Sequence, residues 1–132
     1  AMTAKGNTGL KRSIIHMSSM LGTVALPGRA VYSATKHALE GLTKAMALDL
    51  ASDGIRVNSI CPTYIETPLT RPLMENQAFV DYVTQRMPLS TAEQPIGKVG
   101  DLDGALMFLA DSALSDLVTG TNLVVDGGWT AQ

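Results

Sequence analysis

A single cysteine, two histidines and no long apolar run set the first bounds on this chain of 132 residues. Cys61 has no second cysteine to pair with, so an internal disulfide is excluded and a reducing cytoplasm is the expected compartment. His16 and His37 do not make a metal-ligand set; each reads as a structural histidine, and no metal is expected. No stretch approaches the roughly 18 apolar residues that a membrane span needs, and no signal-peptide pattern opens the chain. Positive charge is also sparse. The net charge is −2 and no basic run exceeds Lys11-Arg12, so neither nucleic acid nor a membrane is an expected partner. A phosphate-binding glycine loop is missing as well. Gly6 and Gly9 have a suggestive spacing, but no strand precedes them and no GK[ST] or third glycine follows. They read as a turn after the end of a helix at residues 2–5.

What remains is the composition of a packed globule: 45% apolar and 17% charged residues. That length suits one core, and residues 1–132 are expected to form a single domain. Ala1 precedes Met2, as when a purification tag has been cut away, which would make Met2 the start and the chain short by nature.

Residues 13–17, SIIHM, run on without alternation and predict a strand buried on both faces, leading into Ser18-Ser19. Residues 20–31 hold Gly22, Pro27 and Gly28 and read as a loop. From Tyr32 the pattern turns helical, with Ala38, Leu39, Leu42, Ala45, Met46 and Leu50 on one apolar face. Glu40 and Lys44 would then pair on the outer face, and Gly54 would end the helix in the left-handed conformation. Residues 55–61, IRVNSIC, predict a second strand that Pro62 stops, followed by an irregular segment over 63–69. Residues 71–87 read as one helix with Pro72 in its first turn, and 90–100 as a polar connection. Asp101 is expected to cap a third helix carrying Leu102, Ala105, Leu106 and Leu109. Residues 122–125 make a last strand, closed by Asp126-Gly127-Gly128. Helices between short buried strands imply parallel crossovers, hence an α/β fold with three parallel strands and flanking helices.

One set of side chains carries chemistry. Ser19 leaves the carboxyl end of the first strand, where open parallel sheets bind ligands. Tyr32 and Lys36 lie four apart, on one helix face. A hydroxyl, a phenol and an ammonium at one sheet edge make a proton-handling site. The bland alternative is a helix-start aromatic beside a solvated lysine.

The motifs SIIHMSS, YSATK, IRVNSICP, YIETP and VTGTNLVVDGGW, with a serine 13 residues before the tyrosine, resemble the short-chain dehydrogenase/reductases from about residue 12 to 130. The resemblance implies a partial Rossmann-like, doubly wound sheet. It implies that Ser19 binds substrate, that Tyr32 is the general acid/base, and that Lys36 supports Tyr32 and contacts the cofactor ribose. An ammonium beside a phenol favours the phenolate that such a base needs. Ser19 would donate to the reacting oxygen as charge develops there. Pro62, Ile65 and Thr67 match the stretch that meets the nicotinamide of NAD or NADP, with Thr63 where the family usually has glycine. The segment 71–87, with Met74, Phe79, Tyr82 and Met87, resembles the family's substrate lid, or else packs on the sheet.

The family's amino-terminal half, with its glycine-rich turn, acidic ribose-binding residue and relay asparagine, has no counterpart in this sequence. Nothing here would grip the adenine half, so tight NAD(P) binding by this polypeptide alone is not expected. The first strand is expected to show an unpaired edge, covered in a homodimer or higher homo-oligomer through that edge or the helix over 32–52. The expected function is hydride transfer between NAD(P) and a small alcohol or ketone. An alternative is cofactor-independent, esterase-like hydrolysis by the Ser-Tyr-Lys set, and a third reading is an inactive folded remnant.

Overall fold

The computed structural model of the protein describes residues 11–132. The helix end and glycine turn expected before residue 10 lie outside the described residues. β1 (Arg12–Met17), β2 (Ile55–Pro62) and β3 (Asn122–Val125) form one parallel sheet in the order β1-β2-β3. Ile14 pairs with Val57 and Met17 with Ile60, while Ser59 pairs with Asn122 and Pro62 with Val125. Between the strands lie α1 (Ala30–Asp49), α2 (Gln77–Arg86), α3 (Asp103–Ala110) and the single turn α4 (Ser112–Ser115).

Side-chain alternation along the strands assigns the two faces. Ile14 and Val57 pack with Ala47, Met46 and Leu50 of α1, and His16 Nδ1 lies 2.8 Å from Thr43 Oγ1 of the same helix. Ser13 and Arg56 point the other way, to the last carbonyls of α3: Ser13 Oγ donates to Leu109 O and an Arg56 Nη to Ala110 O. Helices therefore cover both faces, as parallel strands require. β2 is buried along its whole length because it is the central strand. At 0% exposure, Asn58 ties it to the turn before β3. Its Nδ2 donates to Val118 O and its Oδ1 accepts from Thr121 N–H. Gly54 adopts φ +68, closing the short 3-10 turn after α1 in the expected left-handed conformation.

Several expectations are corrected. β1 is only partly buried, with Met17 52% exposed, because it is an edge strand paired to β2 alone among the described residues. The face α1 turns to the sheet is not the apolar stripe. Ser33, Glu40, Thr43 and Ala47 are buried, Leu39, Met46 and Leu50 half-buried, and Ala38, Leu42 and Ala45 exposed. Glu40 is consequently not paired with Lys44 outside; it lies inside, accepting hydrogen bonds from Ser59 and Cys61. The helix expected over 71–87 is broken in two. A 3-10 turn (Arg71–Glu75) ends at Asn76, whose Oδ1 accepts from the N–H groups of Ala78 and Phe79 and starts α2 afresh. Asp101 does not cap α3. Its carboxylate accepts from Lys98 N–H and closes a 3-10 turn (Val99–Leu102) that precedes the helix.

A second core lies beyond the carboxyl ends of the strands. Met20, Leu21, Val83, Met87, Ile96 and Trp129 are buried together, with Tyr64, Met74 and Phe79 packed against them. Tyr64 meets Phe79 edge-on at 5.1 Å, and Tyr82 meets Trp129 at 5.5 Å. Of α2, Val83 is buried in this core and Phe79 packs against it, while Gln77, Ala78, Asp81, Tyr82, Gln85 and Arg86 are exposed.

Candidate active site

Ser19 follows β1 directly and caps a 3-10 turn (Met20–Gly22), its Oγ accepting from Leu21 N–H at 3.2 Å. Its own backbone is extended, so the chain turns sharply at the sheet edge and holds Ser19 there, 8% exposed. Tyr32 sits in the first turn of α1 with 46% of its surface free. One turn on, Lys36 reaches back to the end of β1, Nζ donating to Met17 O at 3.1 Å, and lies 5.6 Å from the centre of the Tyr32 ring. Helix periodicity places Lys36 beside Tyr32, and the Met17 carbonyl fixes it there.

Ser19 and Tyr32 line one open cleft of about 440 Å³. Opposite them are Thr63, Tyr64 and Ile65, from the segment leaving β2, with Arg29 and Leu73 at the margin. Burial raises the pKa of Tyr64 above its ordinary 10.0, with Arg29 acting in the opposite direction. Lys36, Pro62 and Thr67 lie outside the lining of this cleft. Pro62 is the buried last residue of β2. Thr67 is occupied locally: its N–H donates to Thr70 Oγ1 at 2.9 Å, and its hydroxyl accepts from Thr70 N–H. Thr70 Oγ1 in turn donates to Ile65 O.

Two features had no clear signal in the sequence. Ile65 forms a parallel bridge with Gly97, made by Gly97 N–H to Tyr64 O at 3.0 Å and Glu66 N–H to Gly97 O at 2.7 Å. A second, smaller cavity of about 260 Å³ lies beyond Thr63 and Ile65, lined largely by Met87, Leu89, Ile96 and Val125. Thr63 and Ile65 line both. Among the described residues the Thr63 Oγ1 is buried with no hydrogen-bond partner. Among the described residues no cluster of His, Cys, Asp and Glu could hold a metal ion, and no helix is long and apolar enough to cross a membrane.

The described residues suit the reacting end of a nicotinamide nucleotide. An open cleft at the carboxyl edge of the sheet has a hydroxyl and a phenol on one wall and backbone leaving β2 on the other. The Lys36 ammonium stands 5.6 Å from the centre of the phenol ring.

A family model described as enoyl-(acyl carrier protein) reductase matches residues 2–130. A short-chain dehydrogenase of Neurospora crassa is 38% identical over 98% of this chain and 46% of its own length. The D-beta-hydroxybutyrate dehydrogenase of Rhizobium meliloti is 38% identical over 90% of this chain and 48% of its own. Among solved structures, a gluconate 5-dehydrogenase from Burkholderia cenocepacia in complex with NADP and tartrate superposes with a TM-score of 0.83. It is 42% identical over 91% of this chain and 45% of that one. A 4-hydroxyisoleucine dehydrogenase complexed with NADH gives a TM-score of 0.83 at 40% identity, over 93% and 49% of the two chains. The chain spans about half the length of the relatives it matches. With the parallel sheet and these likenesses in agreement, the chain belongs to the short-chain dehydrogenase/reductase family.

Proposed function

We propose that this chain carries the catalytic half of an oxidoreductase that interconverts a small alcohol and ketone with NAD or NADP. The observation that carries the reading is the convergence of Ser19, Tyr32, Thr63 and Ile65 on one cleft, with Lys36 Nζ 5.6 Å from the Tyr32 ring centre. Tyr32 would exchange a proton with the substrate oxygen, and Ser19 would hydrogen-bond that oxygen as its charge changes. Lys36, fixed by Met17 O, would place a positive charge beside the phenol and meet the ribose. Ile65 would present backbone to the nicotinamide carboxamide, with Pro62 and Thr67 holding the segment in place. The nicotinamide, when bound, supplies or accepts the hydride. Solved relatives complexed with NADP and with NADH support this choice of cofactor.

Ester hydrolysis is not favoured by any contact. Ser19 Oγ accepts from Leu21 N–H, and among the described residues its hydroxyl donates to no base. The same proposal includes a homodimer or higher homo-oligomer in the cytoplasm. The edge of β1, which pairs only with β2 among the described residues, and the exposed Val31 and Leu48 of α1, 80% and 81% accessible, support the assembly, and the lone cysteine suits the compartment.

Millimolar NADH or NADPH should shift the NMR signals of Tyr32 and Ile65. Ketone-dependent NAD(P)H oxidation should fall on the order of 10²-fold or more in Tyr32→Phe. Signals unmoved by both dinucleotides, or turnover indifferent to Tyr32→Phe and Ser19→Ala, would overturn the reading.

A further inference from the structure

A carboxylate lies buried behind the candidate site. Glu40 is 6% exposed and occupies the same face of α1 as Tyr32 and Lys36, one turn beyond the lysine. Ser59 Oγ donates to it at 2.7 Å and Cys61 Sγ at 3.4 Å, both from β2 just before the Thr63–Ile65 stretch that lines the cleft. The turn after Ser19 rests on the same group. A Cβ added at Gly22 would stand 3.0 Å from Glu40 Cγ, 3.1 Å from Lys36 O and 3.1 Å from Ser18 Oγ. A side chain there would require these neighbours to give by a few tenths of an ångström.

Glu40 therefore touches both neighbours of its own helix face: the turn that carries Ser19 and the strand that leads to Thr63 and Ile65. We propose that Glu40 is a positioning residue, which sets the height of α1 against β2 and so places Tyr32 and Lys36 opposite Ser19. The proposal rests on the reading of Ser19, Tyr32 and Lys36 as the reacting set. Alternative roles fit less well. Cys61 is wholly buried, with burial pushing its pKa up to about 11, so the thiol is a hydrogen-bond donor to Glu40 rather than a nucleophile. The hydrogen bond from Lys36 Nζ goes to Met17 O, so Glu40 acts on the lysine through the helix backbone.

The test compares Glu40→Ala with Glu40→Gln, whose amide keeps the shape of the carboxylate and one of the two oxygens that accept from Ser59 and Cys61. The first readout is NMR of the Tyr32 ring and the Lys36 ammonium in the whole chain, which needs no turnover. Glu40→Ala should displace both sets of signals, and Glu40→Gln should restore them. The second readout is nicotinamide-dependent turnover. There Glu40→Ala should lower kcat on the order of 10²-fold, as ångström-scale misplacement does, with KM for the dinucleotide little changed. Unmoved Tyr32 and Lys36 signals in folded Glu40→Ala overturn the proposal, as does a kcat loss that only tracks the folded fraction. Should Glu40→Ala not fold, Ser59→Ala removes one of the two ties. A partial displacement then supports the proposal, and wild-type signals overturn it. If the unsubstituted chain turns over no ketone, the hydride-transfer reading fails, while the NMR comparison still decides the placement of Tyr32 and Lys36.

Discussion

Gly97→Ala tests the clamp between the two cavities. Gly97 has no left-handed backbone, so alanine meets no conformational penalty there and gains about 0.4–1 kcal/mol by narrowing the unfolded ensemble. The obstacle is steric. The new Cβ would stand 2.7 Å from Ile65 Cδ1 and 3.5 Å from Tyr64 O. The bridge hydrogen bonds on either side of Ile65 hold the two backbones together, so the Ile65 Cδ1 must shift. Overpacking of this kind costs about 1–3 kcal/mol. The net is about 1 kcal/mol of destabilisation, or roughly 3–6 °C in Tm for a chain of this size. Ile65→Val deletes the clashing methyl and costs about 0.5–1.5 kcal/mol by itself. In the double variant the clash is gone, so its loss should be smaller than the sum of the singles by the whole steric term, about 1–3 kcal/mol. Urea unfolding followed by fluorescence of Trp129, the only tryptophan and 3% exposed, measures all four proteins. Additivity within about 0.3–0.5 kcal/mol would refute the steric account.

Other expectations follow from buried polar groups. Asn58→Leu should cost about 2–5 kcal/mol in the same urea assay, because it leaves Val118 O and Thr121 N–H without their partner. Thr63→Val should leave the urea midpoint unchanged or raise it, since the Thr63 Oγ1 is already unpartnered. Thr43→Val should lower it by about 1–3 kcal/mol, because the Thr43 Oγ1 is shared between His16 and Leu39 O. Burial raises the Cys61 pKa from 9.0 to about 11, so the folded state holds the thiol proton more tightly than the unfolded chain does. The resulting stability is fully present below pH 9 and is lost as pH rises towards 11. Thermal melts between pH 8 and 11 should fall more steeply for the natural chain than for Cys61→Ser, and parallel curves would contradict this.

The difference between the expected and observed α1 shows where sequence reading stops. Its 3.6-residue period placed a helix near 32–52 and put Tyr32 beside Lys36, because both depend only on local geometry. Which stripe of that helix meets the sheet is a long-range matter. The alternation of β2 turns Ser59 and Cys61 towards α1, and a carboxylate satisfies both donors where leucine could not. Glu40 is therefore inside, and Leu42 is 48% exposed.

By itself the sequence determined the strand–helix alternation, the parallel sheet that follows from it, and the spacing of Ser19, Tyr32 and Lys36. Periodicity, turn residues and helix pitch act over a few positions and are written in adjacent residues. Only the tertiary structure decided what surrounds that trio. Glu40 behind it, Ile65 clamped by Gly97 32 residues away and Thr67 locked to Thr70 each depend on which side chain meets which after the chain folds. A buried donor or carboxylate must find a partner, and the partner's identity is settled by the packed geometry, not by the neighbouring letters.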